Sequence, residues 1–166
     1  MEALVVYESM WGNTEEVARA VARGLGGARV VEVGAATEQE LEGVELLVVG
    51  GPTHAFSMSR ASTRRDAHQK GAPRGGEEVG VREWLGRLPK RLEVPIATFD
   101  TRVAKVAKLP GSAAKGAERE LRRHHRGRVV GRESFYVEDM AGPLVRGELE
   151  RAEAWGRALT DVRVFG

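Results

Sequence analysis

The chain has 166 residues, 42% of them hydrophobic, which is enough for one domain with its own core. It contains no cysteine, and this excludes disulfides, thiolate metal sites, iron–sulfur clusters and cysteine nucleophiles. Lysine and arginine total 26 against 24 acidic residues, so the net charge is only +2 and any strong basic character is local.

The first half of the chain alternates strand and helix patterns. Residues 3–7 form a continuous apolar run, typical of a strand buried on both faces. Residues 13–25 have apolar side chains at helical spacing. Residues 29–33 and 45–49 indicate a second and a third strand, joined by a short acidic connection of one or two helical turns.

The second half continues the alternation after a long polar stretch. We predict a helix over 81–88, a strand over 94–99, a helix over 112–125, a strand over 128–137 and a helix over 147–159. Five alternations of strand and helix favour a parallel sheet covered by helices on both faces. The whole chain, 1–166, is predicted to be a single α/β domain.

The segment from Glu8 to Thr14 joins the first strand to the first helix. Backbone amides and the helix dipole at such a junction favour an anion, and here Ser9, Asn13 and Thr14 add side-chain donors. The loop has neither the GxxxxGK[ST] nor the GxGxxG pattern, which argues against a nucleoside triphosphate and a conventional dinucleotide site. The alternative interpretation is that Ser9 and Thr14 only cap the helix.

These residues resemble the phosphate loop of the flavodoxin family, which has the form [ST]-x-[ST]-G-N-T. Ser9, Gly12, Asn13 and Thr14 match it, and Trp11 stands where a second hydroxyl usually lies. The sequence Ser9-Met10-Trp11-Gly12 is also similar to the Ser-Met-Tyr-Gly loops of flavodoxin-fold quinone reductases. The resemblance covers nearly the whole chain and implies a doubly wound, three-layer, five-stranded parallel sheet of order 2-1-3-4-5.

The resemblance implies noncovalently bound flavin mononucleotide (FMN) as cofactor, with its phosphate on Ser9 to Thr14. After the third strand, Pro52 to Phe56 would line the flavin ring, with His54 or Phe56 as a stacking partner. After the fourth strand, Asp100 to Val103 would meet the pyrimidine end of the ring. The implied cofactor-binding residues are Ser9, Met10, Trp11, Gly12, Asn13, Thr14, Pro52, Thr53, His54, Ala55, Phe56, Asp100, Thr101, Arg102 and Val103.

The polar stretch at about 56–80 is rich in arginine and lysine. In the implied fold it leaves the flavin edge of the sheet, beside the loop that follows the fourth strand. Both walls of the site would then be positive, through Arg60, Arg64, Arg65, Lys70, Arg74, Arg102, Lys105 and Lys108. The alternative is a solvated insertion without a binding role.

The resemblance favours an electron carrier that passes electrons between redox partners, with no catalytic side chain and no metal. The alternative is an enzyme, an NAD(P)H-dependent FMN or quinone oxidoreductase, and a third class is a flavin-binding regulatory module. We expect anionic partners, either proteins or NAD(P)H, and no nucleic acid. No apolar run approaches the roughly 20 residues of a membrane span, and no signal peptide is evident, so we expect a soluble cytoplasmic protein.

Overall fold

Parallel β-strands form the centre of the molecule. A computed structural model describes residues 1–124 and 126–162. The parallel strands are β1 (Ala3–Tyr7), β2 (Arg29–Glu32), β3 (Leu46–His54), β5 (Pro95–Val103) and β6 (Arg128–Val137), and the short strand β4 (Ser57–Met58) pairs antiparallel with the end of β3. The parallel order is β2-β1-β3-β5-β6, which confirms the predicted fold class and strand order with β4 as an addition.

Helices cover both faces of this sheet. On one face lie α1 (Asn13–Gly24) and α5 (Glu148–Val162), and on the other α3 (Val81–Gly86) and α4 (Ala113–Arg123). The helix α2 (Ala61–Gln69) packs beside Met10 in the segment after β1. The acidic connection between β2 and β3 contains a single 3₁₀ turn, Glu38–Leu41. None of the helices within the described residues has the length and apolar character of a membrane span.

The core lies in two layers, one on each face of the sheet. Val5 of β1 faces the layer that includes α1 and α5, whereas Leu4 and Val6 face the layer that includes α3 and α4. Every residue of β1 is buried. This burial on both faces explains why the strand is a continuous apolar run instead of an alternating one.

Several predicted boundaries differ from the observed elements. β3 and β5 continue past 49 and 99 into polar residues, because they stay paired up to Pro52 and Thr101. The polar stretch 56–80 is not an extended loop, since it contains β4 and α2. The helix predicted over 112–125 ends at Arg123. Residue 125, the last of the predicted range, lies outside the described part of the chain.

Helices α1 and α5 contact each other through two glycines. A Cβ atom on Gly156 would lie 3.1 Å from Cα of Gly24 and would collide with the carbonyl oxygen of Val21. The two backbones therefore approach too closely for any side chain at this crossing. The contact fixes α1 against α5 within the core layer that the two helices share.

We predict that Gly156→Ala destabilises the protein although alanine is the better helix former. The added methyl group meets backbone atoms that cannot rotate away, so the free energy of unfolding should fall by about 1 to 3 kcal/mol, measured by urea denaturation. Gly86→Ala is the matched control, because no atom lies within 4 Å of a Cβ atom there. Equal stability of both variants would contradict this account of the crossing.

Candidate functional site

A cavity of about 270 Å³ opens at the carboxyl end of the sheet. The segment that follows β1 and the carboxyl ends of β3, β5 and β6 surround it together with one face of α2. Twelve of the fifteen residues predicted from sequence line it: Ser9, Met10, Trp11, Asn13, Thr14, Pro52, Thr53, His54, Ala55, Thr101, Arg102 and Val103. The structure thus brings together three loops that are distant in sequence.

The loop after β1 leads directly into helix α1. Gly12 is the N-cap residue with φ 98°, a left-handed conformation that favours glycine, and its amide donates to Ser9 Oγ at 3.1 Å. Within the described residues no side chain caps this helix, so the interpretation of Ser9 and Thr14 as mere caps does not fit. The first amides of a helix have no partner within it, and here Asn13 and Thr14 of that first turn line the cavity.

Two hydroxyl groups join this loop to the loop at the end of β5. Thr14 Oγ1 and Thr101 Oγ1 are 2.8 Å apart and both side chains are buried. A hydrogen bond between buried hydroxyls is retained only if the two backbones keep their spacing. Thr14 and Thr101 therefore fix the distance between two walls of the cavity.

The hairpin between β3 and β4 turns through Ala55 and Phe56. Both have positive φ, 48° and 63°, as a two-residue turn of this kind requires. Asparagine or glycine normally occupies such positions, because other side chains cost on the order of 1 kcal/mol or more each. The strain lies at the cavity edge, where Ala55 lines the wall and Phe56 points away with 46% of its surface exposed.

Asp100 lies beneath the cavity and does not line it. Its side chain is fully buried, and Oδ2 accepts the amide of Ala114 at the start of α4 at 2.9 Å. Burial raises the pKa of Asp100, while this hydrogen bond and those of Ser112 and Ser134 oppose the shift. Asp100 thus anchors α4 behind the site.

The basic surface expected from sequence is smaller than predicted. Arg64 is fully buried, and Arg102 is buried with Nη2 donating to the carbonyls of Val106 and Leu109 at 3.0 Å. Arg65 and Arg74 form ion pairs with acidic neighbours. Among the described residues, the cations of this group that are exposed without an ion pair are Arg60, Lys70, Lys105 and Lys108.

Sequence reasoning missed the wall formed by α2, apart from Lys70, which it placed in the basic wall of the site. Thr63, Asp66, Ala67 and Lys70 line the cavity, and their spacing of three, four and seven residues places them on one helical face. The helix buries only Arg64 and Ala67, so an apolar period was absent from the sequence. Val137 and Met140, at and after the end of β6, are further lining residues that the sequence did not indicate.

His54 connects the hairpin to this wall. Its Nδ1 lies 3.0 Å from Thr63 Oγ1, whose hydroxyl also contacts the backbone of Arg60. Burial, with a smaller contribution from the charge of Arg64, lowers the pKa of His54 to about 4. The imidazole is therefore neutral at physiological pH.

Comparisons with known proteins agree with this geometry. Residues 5–77, less than half of the chain, match the sequence model of the flavodoxin family. A flavodoxin from the domain Archaea superposes with a TM-score of 0.64 at 19% identity, covering 98% of this chain and 99% of that chain. No curated protein matches significantly.

Two further solved structures have the same fold. Flavodoxin 2 from Bacillus cereus has a TM-score of 0.65 at 18% identity, covering 97% of this chain and 99% of that one. A WrbA-like flavodoxin from Agrobacterium tumefaciens has a TM-score of 0.60 at 19% identity, covering 98% of each chain.

The strand order reverses between β1 and β3, next to the cavity, which defines a doubly wound α/β protein with a site at its topological switch point. Within that class, the chain has the flavodoxin fold, and residues 5–77 match the flavodoxin sequence model.

We predict that His54 makes folding stability depend on pH between about 6.5 and 4. The unfolded histidine binds a proton near pH 6.5 whereas the folded one does so only near 4, so stability falls as the pH falls through this range. Between pH 7 and pH 5 the parent should lose on the order of 1 kcal/mol more than His54→Gln in urea denaturation.

His68→Gln is the control for this measurement. Hydrogen bonds to Glu77 and to the carbonyl of Arg74 raise the pKa of His68, so removing it should change the pH dependence in the opposite direction. Identical pH profiles for the parent and His54→Gln would contradict the assignment of a neutral His54.

Proposed function

We propose that this protein binds FMN in the cavity and carries electrons between redox partners. The observation that carries the proposal is the convergence of an uncapped helix start with the carboxyl ends of β3 and β5 around one cavity. The match to the flavodoxin family adds support, since it covers the first two of these three segments.

The residues present suit both ends of FMN. The loop from Ser9 to Thr14 offers backbone amides and hydroxyls without a lysine, a donor set appropriate to a monoester phosphate. Trp11 of the same loop, together with Pro52 and Val103 on the other walls, adds apolar or aromatic groups suited to a flat ring. A purely polar cavity would not accommodate the ring, and a purely apolar one would not hold the phosphate.

FMN, when bound, supplies one- and two-electron redox chemistry through its isoalloxazine ring. The chain would hold the phosphate with Ser9 to Thr14 and the ring with Pro52 to Ala55 and Thr101 to Val103. His54 is neutral and hydrogen-bonded to Thr63, so it presents no cation to the ring. The protein contributes binding, orientation and a controlled electrostatic environment.

The charges near the cavity indicate the kind of partner. Lys105 and Lys108 are exposed after β5, and Lys70, the C-cap residue of α2, lines the cavity. Lys105 and Lys108 follow the lining residue Val103 closely in the chain, so positive charge is concentrated on this side of the cavity even though the net charge of the chain is only +2. We infer that the partner, protein or small molecule, carries negative charge where it approaches the site.

A second candidate function is an NAD(P)H-dependent reductase of flavins or quinones. The wall formed by α2 favours it, because Thr63, Asp66 and Lys70 extend the lining beyond the three flavin-binding loops. Such a wall would contact a small substrate, whereas a carrier needs only an accessible ring edge.

One spectroscopic experiment tests the proposal and separates the two functions. The purified protein is mixed with FMN, freed of excess ligand and examined by absorbance. Retained and perturbed flavin bands support FMN binding, and an unaltered free-flavin spectrum contradicts it. Rapid bleaching on addition of NADPH would favour the reductase, while bleaching only by dithionite would favour the carrier.

We predict that Thr14→Val weakens FMN binding by about tenfold or more, measured by fluorescence titration. The substitution keeps the volume but removes a hydroxyl beside the phosphate loop, and hydrogen bonds of this kind contribute about 1.5 to 3 kcal/mol when the partner is charged. Thr98→Val is the matched control, because Thr98 is also fully buried but donates to Ala114 behind the site. Equal dissociation constants for the two variants would refute this placement of the phosphate.

We predict that the double variant Lys105→Glu, Lys108→Glu slows electron transfer from the reduced, FMN-loaded protein to ferricyanide. The rate should also lose its dependence on ionic strength, because the field that attracts the anion is removed. Reaction with uncharged benzoquinone should change little. Stopped-flow absorbance measures both rates.

The control is Lys90→Glu, Arg91→Glu, which reverses two exposed cations that precede β5 at the opposite end of the sheet. Its ferricyanide rate should remain close to that of the parent. If both double variants slow the reaction equally, the rate follows net charge and the entrance has no special role.

A further inference from the structure

Arg64 of α2 is a completely buried arginine. Its Nε donates to the carbonyl of Glu77 at 2.8 Å, and Nη1 donates to Ser59 Oγ at 2.7 Å. Its Nη2 donates to Glu83 Oε1 at 2.7 Å and to the carbonyl of Glu78 at 3.4 Å. The guanidinium thus connects α2 to the residue after β4, to the segment 77–78 and to α3.

The network continues to the residue that precedes the phosphate loop. Glu8 is 1% exposed and lies between β1 and Ser9. Its carboxylate accepts the hydroxyl of Ser59 at 2.6 and 2.9 Å and the amide of Val81, the first residue of α3, at 2.8 Å. Ser59 therefore bridges Glu8 and Arg64 by donating to one and accepting from the other.

Gly80 provides the space in which these groups meet. A Cβ atom there would collide with Nη1 of Arg64 and Oε1 of Glu8. The amide of Gly80 donates to Glu83 Oε1 at 2.9 Å, the oxygen that also accepts from Arg64. The network is compact, and each of its charged groups has several partners.

Burying an arginine and a glutamate is expensive unless geometry and hydrogen bonds compensate. Apolar burial alone does not explain the position of α2, because Ala67 is its only other buried residue. The network instead fixes α2 through charge, and it does so at the residue adjacent to Ser9. Ala67 completes the connection by packing with Met10 of the phosphate loop.

We propose that Glu8 and Arg64 are positioning residues that hold the phosphate loop and α2 as one unit and thereby set the affinity for the phosphate end of the ligand. This inference rests on the proposed binding of FMN. Neither residue lines the cavity, so both act through the backbone they hold.

The variant Glu8→Gln distinguishes a positioning role of Glu8 from an effect of its charge, because the two would change the affinity for FMN in opposite directions. Removing a buried negative charge next to a phosphate site would by itself strengthen phosphate binding. If Glu8 positions the loop, the variant should instead bind FMN about tenfold more weakly, because Gln cannot accept all the hydrogen bonds that the carboxylate accepts. Tighter or unchanged FMN binding overturns the proposal.

Riboflavin, which lacks the phosphate, provides the second arm of the experiment. Its dissociation constant should change much less than that of FMN, since the ring-binding loops after β3 and β5 keep their contacts. An equal loss for both ligands overturns the proposal in favour of general loosening of the cavity. A parent protein that binds neither ligand would instead refute the proposed function.

Glu148→Gln is the matched control. Glu148 is also buried, accepts a backbone amide from Tyr136 at 2.7 Å and pairs with Arg151, but it lies outside the cavity lining. The Glu148→Gln variant should be less stable than the parent, but it should not lose affinity for FMN selectively over riboflavin. A selective loss in this control as well would overturn the special role of Glu8.

A third variant and a second readout keep the proposal testable if Glu8→Gln does not fold. Ser59→Ala removes the bridging hydroxyl but leaves the charged groups of Glu8 and Arg64. This variant should also weaken the binding of FMN more than the binding of riboflavin. Hydrogen exchange of the ligand-free variant should be faster in both the 9–14 loop and α2. Faster exchange in one segment alone would contradict their coupling.

Discussion

β1 pairs with β2 on one side and with β3 on the other, and the position of the site follows from this arrangement. Right-handed crossovers then place α1 on one face of the sheet and α3 on the other. The connections that leave β1 and β3 diverge and open a crevice between them. The other walls of the cavity are built around that crevice.

The described structure closes the crevice with polar interactions instead of a large apolar cluster. Thr14 and Thr101 join the loops after β1 and at the end of β5, while Ser59 joins Glu8 to Arg64. Directional bonds fix spacing more sharply than apolar contacts, which tolerate sliding. They also accommodate the unfavourable backbone at Ala55 and Phe56, because the surrounding hairpin stays paired on both sides of the turn.

The sequence was sufficient for elements that are rich in apolar or β-branched residues and lie between turn signals. β1, a continuous apolar run, and β6, which carries Val129, Val130, Phe135, Tyr136 and Val137, were predicted to the residue. α2 was not predicted, since its stability depends on Arg64, whose partners extend from Ser59 to Glu83. An arginine bound by distant carbonyls and a carboxylate is indistinguishable in sequence from a solvated one. For the same reason Arg64 was wrongly assigned to the basic surface, while the loop motifs located most of the cavity lining.

The surface around the cavity combines cations with apolar side chains. Phe56, Leu109 and Met140 are each nearly half exposed, and they belong to the loops after β3, β5 and β6. Exposed apolar groups beside Lys105 and Lys108 suit a protein partner, because charge accelerates encounter and apolar contact prolongs it. A small substrate would gain little from side chains outside the cavity. The arrangement therefore suits the proposed carrier better than the proposed reductase, even though α2 forms one wall of the cavity.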